Sequence, residues 1–118
     1  PAVSITIELC DPLLLETTAA ATLGMIFNEL LCNTLKHGYP DGRSGRLDIF
    51  FHREGDLGRL AVRSDGAPLK ARRDGGQGAD LVALMARQLD GRAFAFDRPG
   101  GGVESGVEMS LAGREAAL

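Results

Sequence analysis

The sequence predicts an α+β two-layer sandwich, with helices packed on one face of a mixed, mostly antiparallel sheet. Short segments that alternate apolar and polar residues flank two segments with helical periodicity. Turn-rich stretches separate neighbouring strand segments closely enough to form two hairpins. The chain of 118 residues has the size of one domain, so we treat residues 1–118 as a single domain. Because it starts at Pro1 without a methionine, we take it to be a fragment of a longer protein.

The first half of the chain predicts a strand and a long helix. The segment "VSITIEL" at 3–9 alternates as a half-buried strand does. From Leu15 to His37 the spacing is helical, and Gly38 is the expected C-cap. The first half of this segment is apolar nearly all round, which predicts a helix covered on most sides. "YPDGRSG" then predicts a turn.

The second half predicts two hairpins around a second helix. "RLDIFFHR" and "GRLAVRS" are expected to pair through the turn "EGD", and residues 64–77 are expected to form a loop. "ADLVALMARQL" predicts an amphipathic helix with Leu81, Leu84, Met85 and Leu89 on its apolar face. "RAFAFD" and "GVEMSL", separated by "RPGGGVES", predict a closing hairpin, and the tail "AGREAAL" is expected to fray.

Composition excludes several classes of protein. The net charge is −3 and the pI about 5.3, so no basic surface indicates a nucleic-acid partner. The longest apolar stretch, Ala19 to Phe27, is too short to span a bilayer, so we expect no membrane contact by this domain. Cys10 and Cys32 form neither a disulfide framework nor a metal-binding spacing, which favours a reduced, cytoplasmic location.

The segment "NELLCNTLKH" at 28–37 places polar residues along one face of the first helix. Glu29, Asn33 and His37 follow each other at intervals of four, with Lys36 beside them. A carboxylate can orient or deprotonate a nucleophile, an amide oxygen can ligate Mg²⁺, and a lysine can face a phosphate. The alternative is a solvated polar stripe where a buried helix surfaces.

A second feature is "DGGQGADLV" at 74–82, in which Gly76 and Gly78 lie just before the second predicted helix. The unpaired N–H groups and the dipole of a helix N-terminus favour anions, and glycine permits close backbone approach. Glycines before helices are common, so a plain turn is the alternative.

In this order, these pieces resemble the ATP-binding catalytic domain of sensor histidine kinases. The wider group is the ATPase superfamily shared with gyrase, heat-shock chaperone and mismatch-repair ATPases. The resemblance covers Val3 to Leu111 and is closest to a branch whose motif is similar to "NELVTNALKHAFPDG"; here the stretch is "NELLCNTLKHGYPDG". It implies a Bergerat-type ATP-binding fold with ATP and Mg²⁺ as bound cofactors.

The resemblance implies a role for each polar residue of the first helix. Glu29 matches the polar residue that assists catalysis, and Asn33 matches the asparagine that coordinates Mg²⁺ between the phosphates. Lys36 and His37 match polar positions near the phosphates. Asn28 matches a further asparagine characteristic of this branch, and it too is implied in ATP binding.

Other family positions match in part. Gly76 and Gly78 match the family's "GLGLxLV" box, whose backbone amides meet the phosphates, although Ala79 and Asp80 follow here. In "PGGGVESGVEMSL", Val103 stands where the family commonly has threonine.

The first glycine box departs from the family pattern D-x-G-x-G, whose leading aspartate accepts the adenine amino group. Here "VRSDGAPLK" aligns Gly66 with the middle glycine, Ser64 with the aspartate and Pro68 with the last glycine. Asp65 could replace the aspartate only through a one-residue slip, which would turn the inward side chains outward. We therefore expect Ser64 in the pocket and a weakened affinity, with Ser64, Asp65 and Gly66 as candidate ATP-binding residues.

The lid expected to close over the nucleotide lies between Gly66 and Gly76 and is short. Lys70, Arg72 and Arg73 make it basic, so it could clamp phosphates; a short solvated loop is the alternative.

The expected function is that of the catalytic domain of a two-component sensor histidine kinase. It would transfer the γ-phosphoryl group to a histidine on separate dimerisation helices of the same protein and would work with a response regulator receiver domain. His37 and His52 lack the surroundings of an acceptor histidine. Two alternatives stay open: a degenerate domain that binds nucleotide poorly and serves as a docking or phosphotransfer partner, and a free-standing anti-sigma-type serine kinase.

Overall fold

The computed structural model describes residues 2–9, 13–40, 42–69 and 76–116, with the backbone alone for residue 9 and residues 76–79. Seven elements follow one another along the chain: β1 (Val3–Leu9), α1 (Thr17–Gly38), β2 (Gly45–Glu54), β3 (Leu57–Ser64), α2 (Gly76–Gln88), β4 (Arg92–Asp97) and β5 (Val103–Ser110).

The five strands form one sheet in the order β1-β2-β3-β5-β4. β1 pairs with β2 in parallel, and the three other pairs are antiparallel. The mixed, mostly antiparallel sheet and the two hairpins predicted from the sequence are confirmed. β5 begins at Val103 rather than at Gly106, because residues 103–105 continue the pairing with β3.

The core lies between the sheet and the two helices, which pack against each other on the same sheet face. Its buried members come from both layers: Ile26 and Leu30 of α1, Val82, Met85, Ala86 and Leu89 at α2, and Leu47, Ile49, Leu60, Val62 and Val107 of the sheet. Helices on one face of an α+β sandwich are therefore confirmed.

α1 begins at an N-cap that closes its first turn. The Glu16 carboxylate accepts hydrogen bonds from the N–H groups of Ala19 (2.7 Å) and Thr18 (3.2 Å). At the other end, Gly38 is the last helical residue instead of the C-cap, and Lys36 and His37 lie in the last turn, where the helix dipole favours positive charge.

Two predictions about the helices are wrong. Leu81 and Leu84 do not belong to the apolar face of α2, because they are 42% and 53% exposed while Val82 and Met85 point to the core. The first half of α1 is not covered on most sides, since Met25 is 53% exposed. A two-layer sandwich leaves the outer side of each helix to solvent, and periodicity alone does not show which apolar stripe faces the sheet.

The C-terminal tail is also better held than expected. Glu115 forms a β-bridge with Leu15 and an ion pair with Arg53. Arg114 pairs with Asp90 beyond the end of α2. The expectation of a fraying tail is therefore wrong as far as residue 116. Neither helix, over the described residues, combines the length and the apolarity needed to cross a membrane.

The sheet face away from the helices carries an arginine–phenylalanine cluster, formed by Phe50, Arg59, Arg63, Phe94 and Glu104. The Arg59 guanidinium lies over the Phe94 ring at 4.0 Å, and that of Arg63 lies over the Phe50 ring at 4.6 Å. Both arginines form ion pairs with Glu104, which is only 5% exposed. Burial, the largest single cause, raises the pKa of Glu104, but the hydrogen bonds and charges of Arg63 and Arg59 together outweigh it and hold that pKa below its ordinary value.

Small residues explain how this cluster covers the sheet. Strand register places Phe50, Ala61, Gly106 and Phe94 in one row across four strands. A Cβ at Gly106 would lie 2.8 Å from the Phe94 ring and 1.9 Å from the Leu60 carbonyl oxygen, so a larger residue does not fit.

Candidate functional site

The polar face of α1, formed by Glu29, Asn33, Lys36 and His37, lies beside the buried face of the helix. Around the helix axis Asn33 lies about 60° and His37 about 20° from the buried Leu30. Glu29, Asn33 and His37 are nevertheless only half-buried, and Lys36 is exposed. The described part of the chain therefore leaves these side chains partly accessible to solvent.

These four side chains also lack protein partners in the described part of the chain. None of them forms a hydrogen bond or an ion pair with a residue of 2–9, 13–40, 42–69 or 76–116. Half-buried polar groups are usually satisfied by protein or water. An unpaired carboxylate, amide, ammonium and imidazole along one open face can take a polar ligand.

Asn28 lies elsewhere on the helix. It is exposed, is about 140° around the axis from Asn33, and accepts a long contact of 3.8 Å from the Cys32 Sγ. The structure therefore brings Glu29, Asn33, Lys36 and His37 together but leaves Asn28 on the solvent side.

The N-terminus of α2 contributes backbone groups. Gly76 and Gly78 lie within the first turn of α2 rather than before it, so the helix starts three residues earlier than predicted. N–H groups in the first turn have no partner within the helix and can bind an anion. The predicted lid residues Lys70, Arg72 and Arg73 lie outside the described residues.

At the end of β3, Ser64 points inward and Asp65 outward. Ser64 pairs with Leu47 and Val103, both buried on the inner face, which is the register that the sequence predicts. Ser64 is 2% exposed, and its Oγ has no hydrogen-bond partner in the described structure. A Cβ at Gly102, where φ is +87°, would lie 2.2 Å from the Ser64 carbonyl oxygen, so the glycine turn before β5 lies directly against Ser64.

Asp65 is held away from Ser64 by a contact that the sequence does not indicate. Its Oδ1 accepts hydrogen bonds from the Tyr39 hydroxyl (2.7 Å) and from the Arg46 N–H (2.9 Å). These two hydrogen bonds hold the pKa of Asp65 below its ordinary value, and the bond from Arg46 has the larger effect. Burial is the largest cause that raises the pKa of Tyr39 to about 12, and Asp65 is the next. The Ser64 hydroxyl lies close enough to Tyr39 to lower that pKa slightly, although the two groups do not form a hydrogen bond.

A close backbone approach joins the two halves of the site. Ala67 N–H donates to the Gly38 carbonyl oxygen at 2.8 Å. A Cβ at Gly66 would lie 2.5 Å from the same oxygen, so only glycine allows α1 to end against the turn after β3. This contact brings the last turn of α1, which carries His37, next to the turn that follows Ser64. Pro68 follows in the exposed part of the turn, and Val103 is buried.

The tie between Tyr39 and Asp65 predicts an observable titration. Tyr39 is the one tyrosine of the chain, so tyrosinate absorbance reports on it alone. We expect it to titrate at about 12 and, in Asp65→Asn, at a lower pH that still exceeds the ordinary value, because burial remains the larger cause. Since the folded-state pKa is raised, this contribution to stability is complete below the unfolded pKa and is lost as the pH rises toward 12. An unchanged titration in Asp65→Asn would show that the two groups do not interact.

Comparison with known proteins tests the fold that these contacts build. No family model and no curated protein matches the sequence. Among solved structures, the blue-light activated histidine kinase EL346 of Erythrobacter litoralis superposes with a TM-score of 0.82 at 21% identity, over 95% of this chain and 36% of that one. The chain has the fold of a histidine kinase catalytic domain.

Two further histidine kinases share this fold. AdeS of Acinetobacter baumannii gives a TM-score of 0.73 at 15% identity, over 92% of this chain and 54% of that one. The nucleotide-free catalytic domain of ThkA gives 0.70 at 15% identity, over 92% of this chain and 78% of that one. The chain thus spans about a third to a half of the first two kinases, and the part it matches has the histidine kinase catalytic fold.

Proposed function

We propose that this chain is the ATP- and Mg²⁺-binding catalytic domain of a two-component sensor histidine kinase. The observation that carries the proposal is the half-buried polar face of α1, whose Glu29, Asn33 and His37 have no partner among the described residues. In a histidine kinase fold, this face lies on the helix that packs against the glycine-led α2.

The residues present fit a metal-bound nucleotide. The Asn33 amide oxygen is a suitable ligand for Mg²⁺, which keeps several waters and takes phosphate oxygens as further ligands. Lys36 and His37 can face phosphate charge, and the N–H groups of the first turn of α2, which have no partner within the helix, can donate hydrogen bonds to phosphate oxygens. The buried Ser64 Oγ, which forms no hydrogen bond in the described chain, can form one with a polar atom on the edge of the base.

Glu29 is the residue proposed to assist the chemistry. Bound ATP supplies an electrophilic γ-phosphoryl group. The Glu29 carboxylate lies one helical turn before Asn33 and can orient the attacking imidazole or accept its proton. Phosphoryl transfer depends mainly on positioning and charge stabilisation, so an open polar face on a rigid helix suits it.

The acceptor histidine, on this proposal, belongs to separate dimerisation helices of the same protein, and a response regulator receiver domain takes the phosphoryl group afterwards. His52 lies on β2, on the sheet face away from the helices, and His37 belongs to the polar face itself. Neither is placed as an acceptor. A two-component kinase domain of this kind works in the cytoplasm.

Calorimetric titration with ATP and Mg²⁺ tests the proposal through Asn33→Ala. We expect the unchanged protein to bind with a dissociation constant on the order of tens of micromolar or weaker. Loss of the amide ligand should weaken binding by at least about tenfold. Gly24→Ala is the matched control, because Gly24 is exposed, lies about 180° around the axis of α1 from Asn33, and has no atom within 4 Å of an added Cβ; it should bind as the unchanged protein does.

A docking module is the second candidate, and one observation favours it. The carboxylate nearest Ser64 in the chain is Asp65, and its Oδ1 is already hydrogen-bonded to the Tyr39 hydroxyl and the Arg46 N–H, which disfavours it as the group that holds a base. Absence of any heat or chemical-shift change at millimolar nucleotide would decide for docking or phosphotransfer without nucleotide binding.

A further inference from the structure

The end of β3 carries a buried hydroxyl that lacks its hydrogen-bond partner. Ser64 is 2% exposed, and its Oγ lies near the Tyr39 hydroxyl, whose pKa it lowers, but forms no hydrogen bond within the described chain. Buried side-chain polar atoms in folded proteins are nearly always paired with protein or ordered water. The hydroxyl also points to the inner face, between Leu47 and Val103, where β-pairing fixes its direction. A ligand atom is therefore a natural partner for it.

A hydroxyl and a carboxylate recognise different ligand edges. An ionised carboxylate only accepts hydrogen bonds, whereas a serine hydroxyl donates one and also accepts. A carboxylate at this position would select a ligand edge that donates, such as the 6-amino group of adenine. A serine satisfies a 6-amino group by accepting and a 6-oxo group, as in guanine or hypoxanthine, by donating.

Asp65 does not restore the carboxylate to the pocket. Its Oδ1 is hydrogen-bonded to the Tyr39 hydroxyl and the Arg46 N–H, and Asp65 is exposed whereas Ser64 is buried. The Asp65 N–H also donates to the Arg46 carbonyl oxygen at 3.2 Å, which fixes the backbone there. The neighbouring carboxylate therefore makes these bonds at the surface of the protein instead of lying with Ser64 in the interior.

We infer that the nucleotide site accepts 6-amino and 6-oxo purines alike, so that ATP and GTP bind with similar affinity and Ser64 determines this relaxed specificity. The inference rests on the proposed function, because it assumes that a purine base lies against Ser64. It adds the class of base to that function.

Titration with the Mg²⁺ complexes of ATP, GTP, ITP and UTP tests the inference. We expect the dissociation constants of ATP, GTP and ITP to agree within about tenfold, and UTP to bind distinctly more weakly. ITP carries the 6-oxo group without the 2-amino group of guanine, so it isolates the contact with Ser64. If UTP binds as tightly as ATP, the base is not recognised and the inference is overturned.

Two variants of Ser64 separate hydrogen bonding from shape. Ser64→Asp should tighten ATP by about ten- to a hundredfold and weaken GTP and ITP by at least about tenfold, because the carboxylate only accepts. Ser64→Ala should weaken all three purine nucleotides to a similar degree. A preference of the unchanged protein for ATP above a hundredfold, or an ATP-to-GTP ratio that Ser64→Asp leaves unchanged, would overturn the inference while the proposed function stands. Failure of every nucleotide to bind would instead overturn the proposed function and the inference with it.

Discussion

Replacing both Arg59 and Arg63 with methionine is expected to lower the free energy of unfolding near neutral pH by about 3 kcal/mol. In the double variant the methionine side chains can still cover the Phe94 and Phe50 rings. The Glu104 carboxylate, however, stays buried without a positively charged partner. We place the effect at the low end of the range for broken buried pairs, because both arginines are themselves about a third or more exposed. Urea denaturation of the two proteins measures the difference.

The pH dependence of the same variant should change sign. In the unchanged protein the two arginines depress the pKa of Glu104, so its contribution is present above the unfolded pKa and is lost as the pH falls through the folded pKa. Without the arginines only desolvation remains, which raises that pKa, and lowering the pH should then stabilise the variant. Adding Glu104→Gln to the double variant is the control and should remove this dependence. Equal stability, or an unchanged pH slope, would show that Glu104 does not need its arginines.

The substitution Gly66→Ala is expected to cause the second large decrease in the free energy of unfolding. The new Cβ would lie 2.5 Å from the Gly38 carbonyl oxygen and 2.7 Å from the Gly38 Cα, which are backbone atoms that cannot rotate away. The end of α1 must then move off the turn after β3, and the hydrogen bond from Ala67 to Gly38 is lost. Overpacking and the lost bond together predict destabilisation of about 2–4 kcal/mol. Because this contact aligns the polar face of α1 with Ser64, ATP binding should also be lost in the protein that remains folded.

Gly24→Ala is the matched control for this variant. A Cβ at Gly24 meets no atom within 4 Å, and the position is inside α1. Replacing a helical glycine with alanine should raise stability by up to about 1 kcal/mol. Thermal or urea unfolding of the two variants compares a blocked glycine with an open one. A Gly66→Ala protein as stable as the unchanged one would show that α1 does not end against β3 as described.

Local pattern in the sequence was enough to predict the fold. The strands from 46 to 64 alternate, and their periodicity of two also predicts that Ser64 points inward, as its pairing with the buried Leu47 and Val103 confirms. Pattern was not enough for α2, where two apolar stripes compete and the structure buries Val82 and Met85 instead of Leu81 and Leu84. Which stripe meets the sheet depends on packing, which periodicity does not contain.

The contacts that sequence reasoning missed join residues far apart in the chain. Tyr39 meets Asp65 across 26 positions, and Arg59 meets Glu104 across 45. Neither pair belongs to a motif or to a helical spacing, so nothing local in the sequence indicates it. The polar face of α1 was predictable because its members are four residues apart on one helix. Its opening depends on what covers the helix, and only the structure shows that Glu29, Asn33 and His37 stay half-buried.

Nuclear magnetic resonance during titration with Mg²⁺ and ATP tests most directly whether the polar face of α1 contacts a metal-bound nucleotide. We expect the side-chain and backbone signals of Glu29, Asn33 and His37 to shift together with those of the first turn of α2. Signals of Phe50 and Phe94 on the opposite face of the sheet should stay in place. Shifts confined to that opposite face, or no shifts at millimolar nucleotide, would contradict the account.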